Sequence, residues 1–181
     1  ARPQLMSALK ALASREIRVS TSTLDRQAVA RDLWPALALA QRSGVPVTAP
    51  EAVIWPADES AVQRVVHWAR ENRVTLMPRG AGTARTGAST VAPFGVMLDV
   101  KRLNRVHAFD EVARTVTVGA GLSGEALEVW LRARGFTLGW RPEGLRLAST
   151  VGGWLATDTW PFESLAQGPL HDALVGCRLI D

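Results

Sequence analysis

A single cysteine, Cys177, is all the thiol this chain has, which excludes an internal disulfide framework. It sits in the apolar run ALVGCRLI, where a buried structural thiol is expected. Lysine is nearly absent: Lys10 and Lys101 are the only two, so arginine carries the net charge of +4. Those arginines are scattered, and the lack of a basic block argues against a nucleic-acid surface. Tyrosine is missing altogether beside seven tryptophans, a bias with no functional reading. No apolar run approaches the roughly 20 residues of a membrane-spanning helix, and no signal-peptide pattern opens the chain. Repeats and low-complexity tracts are absent too. A cytoplasmic location is the expectation from these absences.

What is present suits a packed globular protein. Hydrophobic residues make up 47% and charged residues 21% of 181 positions, enough for one domain or for two small lobes sharing a cleft. Residues 1–50 read as a helical lead-in, with LMSALKALA and a second stretch from Asp25 to Arg42 that Pro35 interrupts. SGVPVTAP then leads into the main body. Residues 51–110 read as a β-α-β-β lobe: strand VIW (53–55), a helix from Glu59 to Asn72 capped by Asp58, strand TLM (75–77) and strand VMLDV (96–100). Residues 111–181 read as a second lobe. TVTV (115–118) alternates as a strand, Ser123 caps a helix closed by Gly135, and Leu122 with Leu127 can staple its start. TLGW (137–140) and ALVGCRLI (173–180) are expected strands on either side of the glycine segment ASTVGGW (148–154). The chain stops at Asp181, directly after the last of these, and so reads as cut short.

The segment PRGAGTARTGAST (78–90) lies between two expected strands and spreads Gly80, Gly82 and Gly87 along its length. A hairpin needs only about two to five residues and one glycine. A Walker loop is excluded, because Gly87 is followed by Ala88-Ser89 and not by Lys and a hydroxyl residue. The G-x-G-x-x-G fingerprint fails at Arg85, and the segment runs into a strand instead of a helix. Phosphate would have to be held by a nest of backbone amides, helped by Thr83, Thr86, Ser89 or an arginine. The bland alternative is a surface loop without a ligand. Against it stands a second small-residue segment, S-T-V-G-G at 149–153, in the other lobe. Two such loops suit a ligand the length of an adenine dinucleotide. His67, His107 and His171 match no metal template and read as surface or structural. No G-x-S-x-G elbow occurs. Trp68, Trp130 and Trp154 read as interior.

Four stretches, PEAVIWPADESAVQRVV (50–66), LMPRGAGTARTG (76–87), VMLDVKRLNRVHAFDEVARTVTVGAGLSGEALEVWLRARGFTLG (96–139) and STVGGWLAT (149–157), resemble the FAD-binding (PCMH-type) domain of the vanillyl-alcohol oxidase superfamily. The likeness is to the branch of D-lactate dehydrogenases, glycolate oxidase flavin subunits and alkyl-dihydroxyacetone-phosphate synthases, and DRQAVARD (25–32) shares it. The resemblance implies an α+β fold of two subdomains with FAD between them. It assigns Arg79, Gly80, Ala81, Gly82, Thr83, Ala84, Arg85 and Gly87 to the pyrophosphate. It assigns Pro142, Glu143, Ser149, Thr150, Gly152, Gly153, Ala156 and Thr157 to the flavin and ribityl part, and Ile180 to the adenine end. Thr83 stands where some relatives carry a flavin-linking histidine, so binding is expected to be noncovalent. Pro161 and Gln167 depart from the family pattern beside the flavin ring.

The substrate-binding domain of such enzymes has no counterpart here, so the 2-hydroxy-acid substrate would engage through a missing domain or a partner subunit. No catalytic residue is assigned. The implied function is the FAD domain of an oxidoreductase acting on a 2-hydroxy acid such as glycolate or D-lactate. The flavin domain of an alkyl-dihydroxyacetone-phosphate-synthase-like transferase is the alternative enzyme. A flavin-fold subunit that has lost FAD is the non-enzymatic one.

Overall fold

The structure, a computed structural model, describes residues 2–90, 94–139, 148–158 and 168–181. Its centre is a four-stranded sheet of order β1-β2-β4-β3, built from β1 (Ile17–Ser20), β2 (Val53–Pro56), β3 (Leu76–Arg79) and β4 (Val96–Asp99). β2 is apolar, as is β4 up to its last residue, Asp99, and both are almost wholly buried, as strands covered on both faces must be. Helix α4 (Glu59–Glu71) lays Ala61, Val62, Val65, Trp68 and Ala69 on the sheet. Asp58 caps it, accepting from Ala61 N at 2.8 Å, which satisfies an amide the first turn leaves open.

The lead-in is more than helical. Helix α1 (Arg2–Leu12) buries Leu9 in the same core, and β1 then pairs antiparallel with β2, Ile17 opposite Pro56. Four residues, IRVS, are too few for an alternating pattern to stand out. Pro35 does not interrupt a helix; it starts one. Helices α2 (Thr23–Ala28) and α3 (Pro35–Arg42) are separate, with Pro35 at the first helical position of α3, where its missing N–H costs nothing.

β3 and β4 are parallel neighbours, Leu76 beside Val96 and Arg79 beside Asp99. Parallel strands cannot be joined by a hairpin, because the chain must travel back along the strand before the next one begins. Residues 80–95 are that return, and their length is a topological necessity. Their glycine content is not.

In the second lobe β5 (Val106–Asp110) and β6 (Thr115–Val118) form a hairpin, and helix α5 (Gly124–Arg132) packs on it. β5, which alternates poorly, was not expected as a strand; a division of lobes at 110/111 would pass between the two strands of this hairpin. Ser123 caps α5, Leu122 and Leu127 share one cluster, and Gly135 takes φ +80 after the last turn. Phe109 sits edge-on to both Trp130 and Phe136.

Two expected strands are corrected. Residues 137–139 form none; Glu128 accepts from Thr137 Oγ1 at 2.7 Å and from Leu138 N at 3.1 Å, so a side chain takes donors that a ladder would use. Trp140 lies outside the described residues. ALVGCRLI follows a short 3-10 turn at Leu170–Ala173 and runs on from it with no ladder partner among the described residues. Val175 and Leu179 are accordingly exposed, and Cys177 is exposed as well, not buried. Among the described residues no helix is long and apolar enough to cross a membrane.

The lobes meet backbone to backbone. Gly121 donates to Leu103 O at 3.0 Å, and a Cβ on it would lie 1.9 Å from the Val100 carbonyl oxygen at the end of β4. Gly121→Ala should therefore cost about 1–3 kcal/mol through displaced backbone. Gly176→Ala, which meets nothing within 4 Å, should stay within about 0.5 kcal/mol. Thermal denaturation of the two variants side by side checks the difference.

Candidate cofactor site

The glycine loop leaves the carboxyl end of β3, the end of a parallel sheet at which ligands collect. Gly82 and Gly87 take φ +69 and +80, values that a side chain disfavours. Among the described residues, no backbone amide from Gly80 to Ala88 donates to another described residue. A row of unused donors on a partly buried backbone is costly unless something accepts from it. Thr83 and Ala84 are half-buried, whereas Arg85 points to solvent.

The second segment faces this loop. A Cβ on Gly80 would lie 2.1 Å from Thr150 Oγ1, so the loop backbone rests directly on the threonine. Thr150 is 3% exposed, forms an isolated antiparallel bridge with Ser123, and accepts from Gly153 N at 3.3 Å. It thereby caps helix α6 (Val151–Ala156), where sequence suggested a loop. The amides here are already used: Val151 donates to Leu122 O at 3.0 Å and Gly152 to Ala120 O at 2.9 Å. Gly152 and Gly153 act by being small, not by offering donors. Trp154 is interior, its Nε1 donating to Ser149 Oγ at 2.9 Å.

Arg79, the last residue of β3, is 7% exposed. Its Nη1 donates to Arg31 O at 2.9 Å, and its guanidinium lies against Gly82, where a Cβ would fall 2.0 Å from Nη2. Nε has no partner among the described residues. Burial pulls this guanidinium below the ordinary arginine value, while Asp99 and Asp32 oppose the shift. A buried cation with a spare donor, beneath a loop of unused amides, can accept a diphosphate. The residues present thus fit the phosphate part of FAD.

The structure brings the two segments together at Gly80, next to Arg79, and Thr150. Ala156 and Thr157 lie on the exposed end of α6, where Thr157 Oγ1 donates to Gly153 O at 2.8 Å. Ile180 is elsewhere, packed with Leu179 beside Gln63, Val66, His67 and Arg70 on the outer side of α4. Pro142, Glu143, Pro161 and Gln167 lie outside the described residues. Sequence reasoning missed Asp32 and Trp34, which touch the loop from the lead-in, and Asp99 beside Arg79; no local pattern marks them. No metal-holding group of His, Cys, Asp and Glu exists among the described residues.

The 3-10 turn packs on α6, and His171 Nδ1 meets Asp158 Oδ1 at 2.9 Å. That hydrogen bond, with weaker help from the charges of Asp158 and Asp172, raises the imidazole pKa. A raised pKa means the contact stabilises fully below the unfolded value and is lost as pH climbs through the folded one. The His171 titration followed by NMR should have its midpoint above 6.5, and Asp158→Asn should return it toward that value.

Comparison with known proteins bears on the whole arrangement. Residues 50–181 match the model of the family described as FAD binding domain. Alkyldihydroxyacetonephosphate synthase of Dictyostelium discoideum is 32% identical over 142 residues, covering 77% of this chain and 23% of that protein. Glycolate oxidase subunit GlcD of Bacillus subtilis (strain 168) is 27% identical over 131 residues, covering 72% and 28% respectively. A solved alkyldihydroxyacetonephosphate synthase superposes with TM-score 0.84 at 28% identity, over 94% of this chain and 32% of that one. The chain thus spans about a quarter of the length of these curated relatives. Two lobes joined at Gly121, with the glycine loop of one resting on Thr150 of the other, are the α+β frame of a flavin-holding domain, and the chain belongs to the FAD-binding domain family of the vanillyl-alcohol oxidase superfamily.

Proposed function

We propose that this chain holds FAD noncovalently as the cofactor-bearing part of a flavin-dependent enzyme. One observation carries the reading: Gly80 rests on Thr150 while, among the described residues, the amides from Gly80 to Ala88 have no acceptor. The loop amides and Arg79 would take the diphosphate, Ser149 to Gly153 would wall the flavin side, and Thr83 offers no histidine for a covalent link. FAD supplies hydride acceptance when bound; the chain's part is to bind, orient and exclude water.

Two reactions are compatible with that role. Oxidation of a 2-hydroxy acid such as glycolate or D-lactate is supported by likeness to the glycolate oxidase subunit. A transfer of the alkyl-dihydroxyacetone-phosphate-synthase kind is supported by the 32% identity to the Dictyostelium discoideum synthase and by a synthase superposition that reaches into the lead-in. The substrate groups and the base belong to polypeptide that lies outside the described site, and none is assigned to this chain.

Titration of the purified chain with FAD, followed by flavin absorbance, should saturate at one FAD per chain. Gly80→Ala should weaken that binding about tenfold or more, ~1.4 kcal/mol, because the new methyl pushes the loop off Thr150. A wild-type chain that stays colourless in excess FAD would overturn the cofactor reading and leave the non-catalytic subunit. For the reaction, the native protein carrying this chain should either reduce a dye with glycolate or D-lactate or exchange an alkyl group on its phosphorylated substrate, and each result removes the other reading.

A further inference from the structure

The glycine loop is held from outside, by residues that precede the 50–181 stretch matched by the family model. Leu33 N donates to Ala84 O at 2.9 Å, and Arg31 O accepts from Arg79 Nη1. The Trp34 ring covers Gly87, where a Cβ would lie 3.0 Å from Cε3. Asp32, 6% exposed, accepts from Trp34 N at 3.0 Å through Oδ1, and its Oδ2 lies 3.5 Å from Ser89 N. Four consecutive residues thus contact the loop at its root, its middle and its far end. Helices α2 and α3, on either side of them, bury no residue of their own. Between them Val29 is buried against Val53 and Met97 of the sheet, and Asp32 is the buried member of the four residues that contact the loop.

A loop that carries unused amides and three glycines has little reason to stay ordered by itself. Ordering it at the moment of binding would subtract from affinity, whereas a loop ordered beforehand binds without that loss. We propose that Arg31–Trp34 is a clasp that preorganises the diphosphate loop, with Asp32 and Trp34 as positioning residues for the cofactor. This rests on the FAD-holding reading above. Asp32 fixes the clasp by tying Trp34 to the Ser89 end of the loop, and Trp34 closes the one face of Gly87 that a side chain at that position would occupy.

The test uses the intact chain and two readouts. FAD affinity is measured by titration of wild type, Asp32→Ala, Trp34→Ala and Trp34→Phe. Trypsin cleavage after Arg85, exposed in the middle of the loop, is timed on the same proteins without FAD. Asp32→Ala and Trp34→Ala should weaken FAD by about tenfold and speed that cleavage by a similar factor, and Trp34→Phe should recover most of both. Trp34 is 39% exposed, so its variants remain informative even where Asp32→Ala fails to fold. Wild type that binds FAD, with Trp34→Ala unchanged in affinity and cleavage, would overturn the clasp alone. Wild type that does not bind FAD would overturn the cofactor reading and the proposal with it.

Discussion

The contact of the Gly80 backbone with Thr150 Oγ1 is the constraint on which the candidate site depends. A threonine that caps a helix, bridges to Ser123 and bears on the other lobe cannot move without disturbing α5, α6 and the loop together. The glycine is required there for want of space, since any Cβ would overlap the hydroxyl. Joined to the backbone contact at Gly121, this gives the two lobes a fixed separation at one end. A long ligand lying between them would meet walls whose spacing is set before it arrives.

Topology and chemistry then divide the explanation of the loop. That β3 and β4 are parallel forces a long return, whatever its composition. The charge beneath it is what needs accounting. Arg79 is buried with one donor satisfied by a carbonyl and another without a partner among the described residues, which costs free energy in a protein that gains nothing from it. Asp99 and Asp32 favour its charged form but are themselves drawn into backbone contacts. A guanidinium kept charged and incompletely paired is poised for an anion. The same balance explains why an acid, Asp32, is tolerable so near the proposed diphosphate loop: Arg79 offsets it.

Much of the fold was legible because its signals are local. Asp58 and Ser123 cap helices whose apolar faces repeat at helical spacing, and the apolar runs at 53–56 and 96–99 can only be buried strands. β1 escaped because four residues show no period, and β5 because VHAFD alternates poorly. ALVGCRLI misled for the opposite reason. Its pattern is strand-like, but a strand exists only through a partner, and among the described residues none pairs with it. Cys177 went with it to the surface. The small-residue loops were legible as a pair, since few other folds need two. Asp32 and Trp34 were not, because the residues they serve lie some fifty positions away and neither side chain belongs to a motif.

The symmetry suggested by two glycine segments is only apparent. In the first, the amides have no acceptor among the described residues; in the second, the amides of Val151, Gly152 and Gly153 all have acceptors within the chain. Glycine at 152 lets the start of α6 approach Ala120 so closely that a Cβ would lie 2.8 Å from its methyl group. One segment therefore has donors to give, and the other supplies shape. A ligand with a charged middle and a broad planar end matches that asymmetry, the charge against the loop and the plane against the short helix. The polarity of the cleft, more than the count of its glycines, is what would orient the proposed dinucleotide in it.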